Sequence, residues 1–451
     1  MRMVLGAAVV LVFPVALMLV LRAVQRRARL SPELARKLFH IGGGLLGLAL
    51  PWLTPDPWVV IVLTVLSIAG LFALTRSRRL DEQAGKVLSS VDRDSLGDVC
   101  FPVSVCILFL VARWNLVLYS VPLLVLTFGD AVAALIGVTY GLKRYASTDG
   151  FKSVEGSTAF FIMAFFCVHV PLLLGTNIGR AECLLIAVIM GLLVMMLEAV
   201  AWSGLDNLFI PLASYTLLRA FLHASLRELI VQMGVTAALA VFILLFRKRV
   251  SLNPSGLFGA ILVGYVFWFG GDYAWFAMPL LVLLAYQWLS PHFEGDRHAV
   301  HDIHVVLCVC FSGLAYLFCA ETFARPELLL TATISFAAHL AIIGGVRWQL
   351  NTGAAPSLAA SAATTLTAWL LLAGAYVAIN TLRSGWRTGW LTDAAIALLG
   401  VVLAVIVYRA IAPPVALGEV DLRRWRWQAV AAAIGSLVGL APLVRAAIQR
   451  T

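Results

Sequence analysis

The chain has 451 residues, 62% of them hydrophobic and 12% charged, with a mean hydropathy of +0.96, against roughly 25% charged residues in an ordinary soluble domain. That balance excludes a soluble enzyme and defines an all-α, polytopic integral membrane protein. The net charge of +10 does not make it a nucleic-acid binder. About two thirds of the Lys and Arg lie in Arg22 to Lys37, Arg76 to Arg93, Lys143 to Lys152, Arg247 to Arg249 and Arg409 to Arg426, the bias of cytoplasmic loops. It places the N-terminus outside and those five loops in the cytoplasm; if the chain is bacterial, the membrane is the inner or plasma membrane.

About fifteen or sixteen apolar runs fit between Met3 and Ala447, several of them short or interrupted by Gly and Pro. The first, Val4 to Val20, runs into Arg and Gln without a small-residue cleavage site, so it reads as a retained helix rather than a signal peptide. Further spans are predicted over about 38–53, 57–74, 98–112, 117–140, 156–174, 182–203, 208–222 and 229–246, with six or seven more between Gly256 and Ala447. The basic run Phe246 to Val250 divides the chain into a domain of residues 1–246, rich in compact polar groups, and a sparser multi-spanning domain, 247–451.

Ionisable groups at a membrane boundary cost several kcal/mol to embed and are functional candidates by default. Ser31-Pro32 opens the second span as N-cap and first helical residue. Arg36, His40 and Gly44 then follow at i, i+4 and i+8, with Lys37 beside them, so two cations and an imidazole can meet an anion. In the fifth span Gly129, Ala133, Gly137 and Gly141 recur every four residues, a stripe for close helix approach, and Asp130 beside it can hold Mg²⁺ against a phosphate.

A basic, turn-rich loop from Gly141 to Gly150 leads to a helix predicted to start near Ser153. Its first N–H groups, the Ser153 hydroxyl and the Lys152 ammonium suit an anion. Glu155 adds a carboxylate for the metal, and Gly156 opens the backbone. Glu198, Trp202 and Asp206 share one face at the end of another span. Acids (Asp130, Glu155, Glu198, Asp206) and cations (Arg36, Lys37, Lys143, Lys152) at one membrane level suit a nucleoside triphosphate with Mg²⁺. The glycine-rich Walker loop is absent. All seven cysteines fall in or at the ends of apolar runs, in no metal or disulfide pattern.

Five ordered stretches between about residues 30 and 215 resemble the CTP-dependent polyprenol kinases, the family of dolichol and phytol kinases. They are Glu33-Leu-Ala-Arg36-Lys37-Leu-Phe-His40, Gly97-Asp98-Val-Cys-Phe-Pro102, Gly129-Asp130-Ala-Val-Ala, Lys152-Ser153-Val-Glu155-Gly156-Ser157, and Glu198 with Asp206-Asn207-Leu-Phe-Ile-Pro211. Asp98 stands where that family more often carries Glu. The resemblance implies transfer of the γ-phosphate of CTP to an isoprenoid alcohol on the cytoplasmic face. It implies nucleotide contacts from Lys143, Lys152 and Ser153, Mg²⁺ on Asp130, Glu155 and Asp206, and His40 or Glu198 as acceptor of the alcohol proton.

Two other readings compete. A cytidylyltransferase acting on a lipid phosphate would keep fold and nucleotide, but the chain lacks the basic, acidic and His-Gly-Gly pattern such enzymes carry near their last helices. A transporter or flippase would place its acids at mid-bilayer in both halves, whereas here they gather at one interface in one half.

The second half resembles the membrane family that includes plant phytyl-phosphate kinase, through Ser255-Gly256-Leu-Phe-Gly259-Ala260 to Gly264 and Phe269-Gly270-Gly271. The segment from Ser335 to Leu350 lacks that family's Asp and Glu, so this half reads as a degenerate domain serving structure or lipid access. Asp296, His298, His301, Asp302 and His304 form a polar cluster after Ser290, open to a metal or phosphate role or to simple solvation.

Overall fold

The computed structural model describes residues 2–28, 30–76, 96–246, 252–289, 301–412 and 422–448. Among them nine helices are long and apolar enough to cross a membrane, and four shorter apolar helices accompany them. The all-α polytopic class read from the sequence holds, with one addition: a two-stranded antiparallel hairpin. The chain divides into two compact units, Met1–Gly234 and Val235–Thr451.

In the first unit α1 (Arg2–Ala28), α2 (Pro32–Leu53), α3 (Pro57–Arg76), α4 (Gly97–Ala112) and α5 (Leu116–Leu124) lead into a π-helical turn, Val125–Gly129, and then α6 (Asp130–Tyr140). The hairpin β1 (Arg144–Ser147) and β2 (Gly150–Ser153) follows, then α7 (Val154–Gly175), α8 (Arg180–Val200) and α9 (Asp206–Phe221). α10 (Leu226–Phe246) carries the chain from the first unit into the second. The helices start where the sequence supplies acceptors for orphan N–H groups. Ser31 accepts from Leu34 N (3.2 Å), Asn115 from Leu118 N (3.1 Å) and Ser153 from Gly156 N (3.1 Å).

The core of this unit joins Leu50, Val60, Val105, Phe109, Tyr119 and Leu123, where the buried Tyr119 hydroxyl donates to Gly47 O at 2.6 Å. The small-residue stripe does what its spacing predicts. A Cβ on Gly129 would stand 3.1 Å from Phe160, and one on Gly137 3.1 Å from Ser153 Oγ. One on Gly156 would stand 3.0 Å from Ala133 O and 3.2 Å from Gly137 Cα. α7 therefore lies directly on α6, and Gly129 and Gly156 serve that contact in the fold.

In the second unit α11 (Pro254–Gly270), α12 (Tyr273–Leu289), α13 (Ile303–Phe323), α15 (Leu358–Ser384), α16 (Gly389–Ile411) and α17 (Leu422–Ser436) surround α14 (Leu328–Thr352), whose apolar window is 89% buried. Thr331, Ser335 and His339 are wholly buried along it, and Gln428 of α17 donates to His339 Nδ1 at 3.0 Å. The seven cysteines are free.

Candidate active site

The site is assembled from the ends of helices in the first unit. Lys37, one turn into α2, is buried at 4% exposure, too deep to reach water by snorkelling,. Its Nζ instead donates to Asp130 Oδ2 at 2.7 Å. His40, one turn further on, places Nε2 3.6 Å from the same oxygen and 3.3 Å from Leu126 O. Leu126 belongs to the π turn that delivers Asp130. A π turn widens the helix and displaces carbonyls from their usual partners, and one of those carbonyls meets the His40 ring. Gly44 lets α2 come this close, since a Cβ there would lie 2.0 Å from Thr127 Oγ1. Arg36, predicted to share the face of His40, turns to Glu33 (2.7 Å) but stays within electrostatic reach of Asp130 and Asp206.

A second ion pair acts on the same Asp206. Lys152, on β2, donates to Glu198 Oε1 at 2.7 Å and also to the Glu198 carbonyl. Burial opposes the ammonium charge, but the Glu198 carboxylate and its hydrogen bond outweigh that cost and raise the Lys152 pKa above its ordinary value,. Asp206, half-buried at the start of α9, faces Asp130 and Glu198 as like charges and Lys152 and Lys37 as opposite ones. Three carboxylates and two lysines thus share one electrostatic neighbourhood, drawn from four separate stretches of sequence.

The hairpin holds these pieces in register. Arg144 pairs with Ser153 and Ser147 with Gly150, leaving Thr148 and Asp149 as the turn, with Gly150 at φ 124° where a side chain would be strained,. Ser147 Oγ donates to Ala199 O (3.1 Å), and Ser203 N donates to Asp149 Oδ2, which lays the hairpin along the end of α8. Ser203 O accepts from Leu96 N (2.8 Å) and Asn207 Nδ2 donates to Gly97 O (3.2 Å). The Gly97-Asp98 stretch is thereby tied to the stretch carrying Asp206.

Ser153, Lys143 and Glu155 lie at the mouth of the hairpin. Ser153 is buried as the N-cap of α7, while Lys143 is exposed. The Glu155 carboxylate accepts from Leu142 N and Lys143 N at 3.2 Å each, so it clamps the entry to β1 instead of joining the Asp130–Glu198–Asp206 group. Among the described residues no three His, Cys, Asp or Glu side chains form a ready-made metal cage. Mg²⁺ does not need one, because it keeps waters and substrate phosphates and takes one or two carboxylates from the protein. The oxygen donors of Asp130 and Asp206 fit that demand.

Tyr145, Asp149 and Asn207 were not among the expected site residues. Tyr145 OH lies 2.6 Å from Ser157 Oγ and feels the charges of Glu198 and Lys152. The Asp-Gly pair at 149–150 is a hairpin signal that was legible only as a turn. Of the polar cluster of the second half, three members are described. Asp302 caps α13 and pairs with His304 (3.0 Å), His301 turns inward to Tyr286, and Asp296 and His298 lie outside the described residues.

The acids and lysines of this polytopic helical bundle are thus paired at its helix ends. Over 194 residues the chain is 34% identical to the phytol kinase of a Synechocystis species, covering 42% of this chain and 79% of that protein. No family model and no solved structure matches the chain. The chain belongs to the polyprenol and phytol kinase-like family.

Proposed function

We propose that the first unit is a lipid-alcohol kinase that transfers the γ-phosphate of CTP to an isoprenoid alcohol at the cytoplasmic face. The observation that carries this reading is the pair of ion pairs, Lys37–Asp130 and Lys152–Glu198, with Asp206 in reach of both, in a chain similar to a phytol kinase. Each lysine is held in place by a carboxylate. When an anionic polyphosphate arrives, the lysines exchange a carboxylate partner for phosphate oxygens at little cost in net pairing.

In this reading Asp130 and Asp206 would hold Mg²⁺, and the ion would supply charge neutralisation at the phosphoryl group. Lys37, Lys152 and the exposed Lys143 and Arg36 receive phosphates. Ser153 keeps a hydroxyl proton to donate, because its oxygen already accepts from Gly156 N. Glu155 fixes the backbone that carries Lys143. The alcohol proton goes to His40 or Glu198; a loose phosphoryl-transfer transition state asks little of that base.

The test is label transfer by the purified chain in lipid nanodiscs with phytol, farnesol or dolichol. Label from [γ-³²P]CTP on the lipid is expected. Label from [α-³²P]CTP on the lipid would overturn the kinase reading in favour of cytidylyl transfer, and competition by ATP or UTP reports donor choice.

A further inference from the structure

The hairpin that carries Lys152 has only four residues in each strand, too few to hold its shape unaided. Its turn end is fastened to the end of α8, where Ser147 Oγ donates to Ala199 O and Ser203 N donates to Asp149. Its base, where β2 passes into α7, is fastened differently. Val154 N donates to Lys143 O at 2.9 Å, and the Tyr145 hydroxyl meets the Ser157 hydroxyl at 2.6 Å.

The strand register puts Tyr145 directly opposite Lys152. Paired residues of antiparallel strands project from the same face with Cβ atoms roughly 5 Å apart. The tyrosine therefore stands beside the lysine stem, on the face from which Lys152 reaches Glu198 Oε1 at 2.7 Å. Tyr145 and Lys152 are within electrostatic reach of each other and of Glu198. Tyr145 is half-buried, and burial raises its hydroxyl above the ordinary phenol pKa,. It stays neutral, and the Lys152–Glu198 pair has no phenolate beside it to compete for the ammonium.

Ser157 lies in the first turns of α7, next to Thr158. The Thr158 hydroxyl bonds back to Val154 O at 2.8 Å, the common use of a hydroxyl inside a helix. Ser157 meets Tyr145 instead. That bond ties β1 to α7 beside the strand that carries Lys152, so the lysine backbone is held from the turn end and from the base.

We infer that Tyr145 is a positioning residue for the transfer proposed above, a role that rests on the kinase reading: through its bond to Ser157 it fixes the hairpin on α7 and sets where Lys152 presents its ammonium. In that reaction Lys152 leaves Glu198 for a phosphate oxygen, and a fixed strand keeps the exchange short. Without the hydroxyl bond the strand loosens and the lysine holds the nucleotide less well. Nothing in this contact touches the alcohol.

The full chain in nanodiscs is compared with Tyr145→Phe, Ser157→Ala, the double variant and Ser157→Thr. Transfer from CTP to phytol is measured, and lysines are acetylated with N-hydroxysuccinimidyl acetate in the absence of nucleotide and mapped by mass spectrometry. Each single variant should raise the KM for CTP by about two- to tenfold, the worth of one hydrogen bond, at unchanged KM for phytol. Acetylation of Lys152 should rise by a similar factor, with the exposed Lys143 as internal reference. The double variant should be no worse than either single one, because both remove the same bond. Ser157→Thr, which keeps the hydroxyl, should match the parent chain. Additive effects in the double variant, unchanged Lys152 acetylation in both single variants, or a loss confined to kcat and melting temperature would overturn the inference. Acetylation needs no nucleotide, so absence of transfer by the parent chain would sink the kinase reading while Lys152 reactivity still decides whether Tyr145 holds the lysine in place.

Discussion

Lys37 reaches Asp130 across 93 residues of sequence, and that distance decides what each residue does. A buried lysine without its carboxylate is an uncompensated charge, and breaking such a pair by removing one partner costs about 3–5 kcal/mol. Asp130→Asn is expected to abolish phosphate transfer and to lower the melting temperature. Adding Lys37→Met should restore the melt without restoring transfer, and recovery of both would remove Asp130 from the chemistry. Lys152 gives a pH signature. Its folded pKa is raised above its ordinary 10.5, so the stability it contributes is fully present below that value and lost as pH rises through the higher folded value. The part of the melting difference between the parent chain and Lys152→Met that comes from this shift should therefore shrink as pH rises above about pH 10.5. At this scale the sequence showed which residues carry charge into the membrane boundary. It could not show that Lys37, rather than Arg36, is the one that turns inward.

The elements matter through their closest approaches. α7 rests on α6 at Gly156, where a Cβ would meet backbone atoms of Ala133 and Gly137 that cannot rotate away. Gly156→Val should destabilise the protein by about 1–3 kcal/mol, the usual cost of overpacking, measured by thermal melting. It should also impair transfer, because Lys152 and Ser153 sit at the start of that helix. A melt identical to the parent chain would show that the two helices can part freely. The four-residue spacing of the stripe predicted a close helix approach on this face, though not its partner. Neither the π turn before Asp130 nor the hairpin was predicted. Thr127 and its neighbours have no residue type peculiar to a π turn; α2 lies close against it, and His40 Nε2 lies 3.3 Å from Leu126 O. The hairpin is only four residues per strand and draws much of its support from Ala199 and Ser203, contacts that no local pattern reports.

For the whole molecule, the charge bias of the loops predicts an orientation, and that orientation can be tested. The hairpin and the 113–115 turn lie at opposite ends of the helical run Leu116–Tyr140, which is long and apolar enough to cross a membrane. With the native cysteines replaced, Phe151→Cys, 75% exposed in the parent chain, should react with a membrane-impermeant maleimide from the cytoplasmic side. Trp114→Cys, 81% exposed, should react from the other side. The reverse pattern would put the proposed site outside, away from any nucleotide.

Hydropathy and charge are properties of short windows, which is why the sequence alone determined the all-α membrane class, the small-residue stripe and the set of ionisable residues worth examining. The family is legible for the same reason, in short ordered stretches. Which lysine meets which carboxylate, that Glu155 clamps a backbone instead of joining the acidic group, and that His301 turns inward to Tyr286 were decided only by tertiary structure. Each depends on helix ends brought together from distant parts of the chain, and in a membrane boundary the cost of an unpaired charge forces those ends to choose partners.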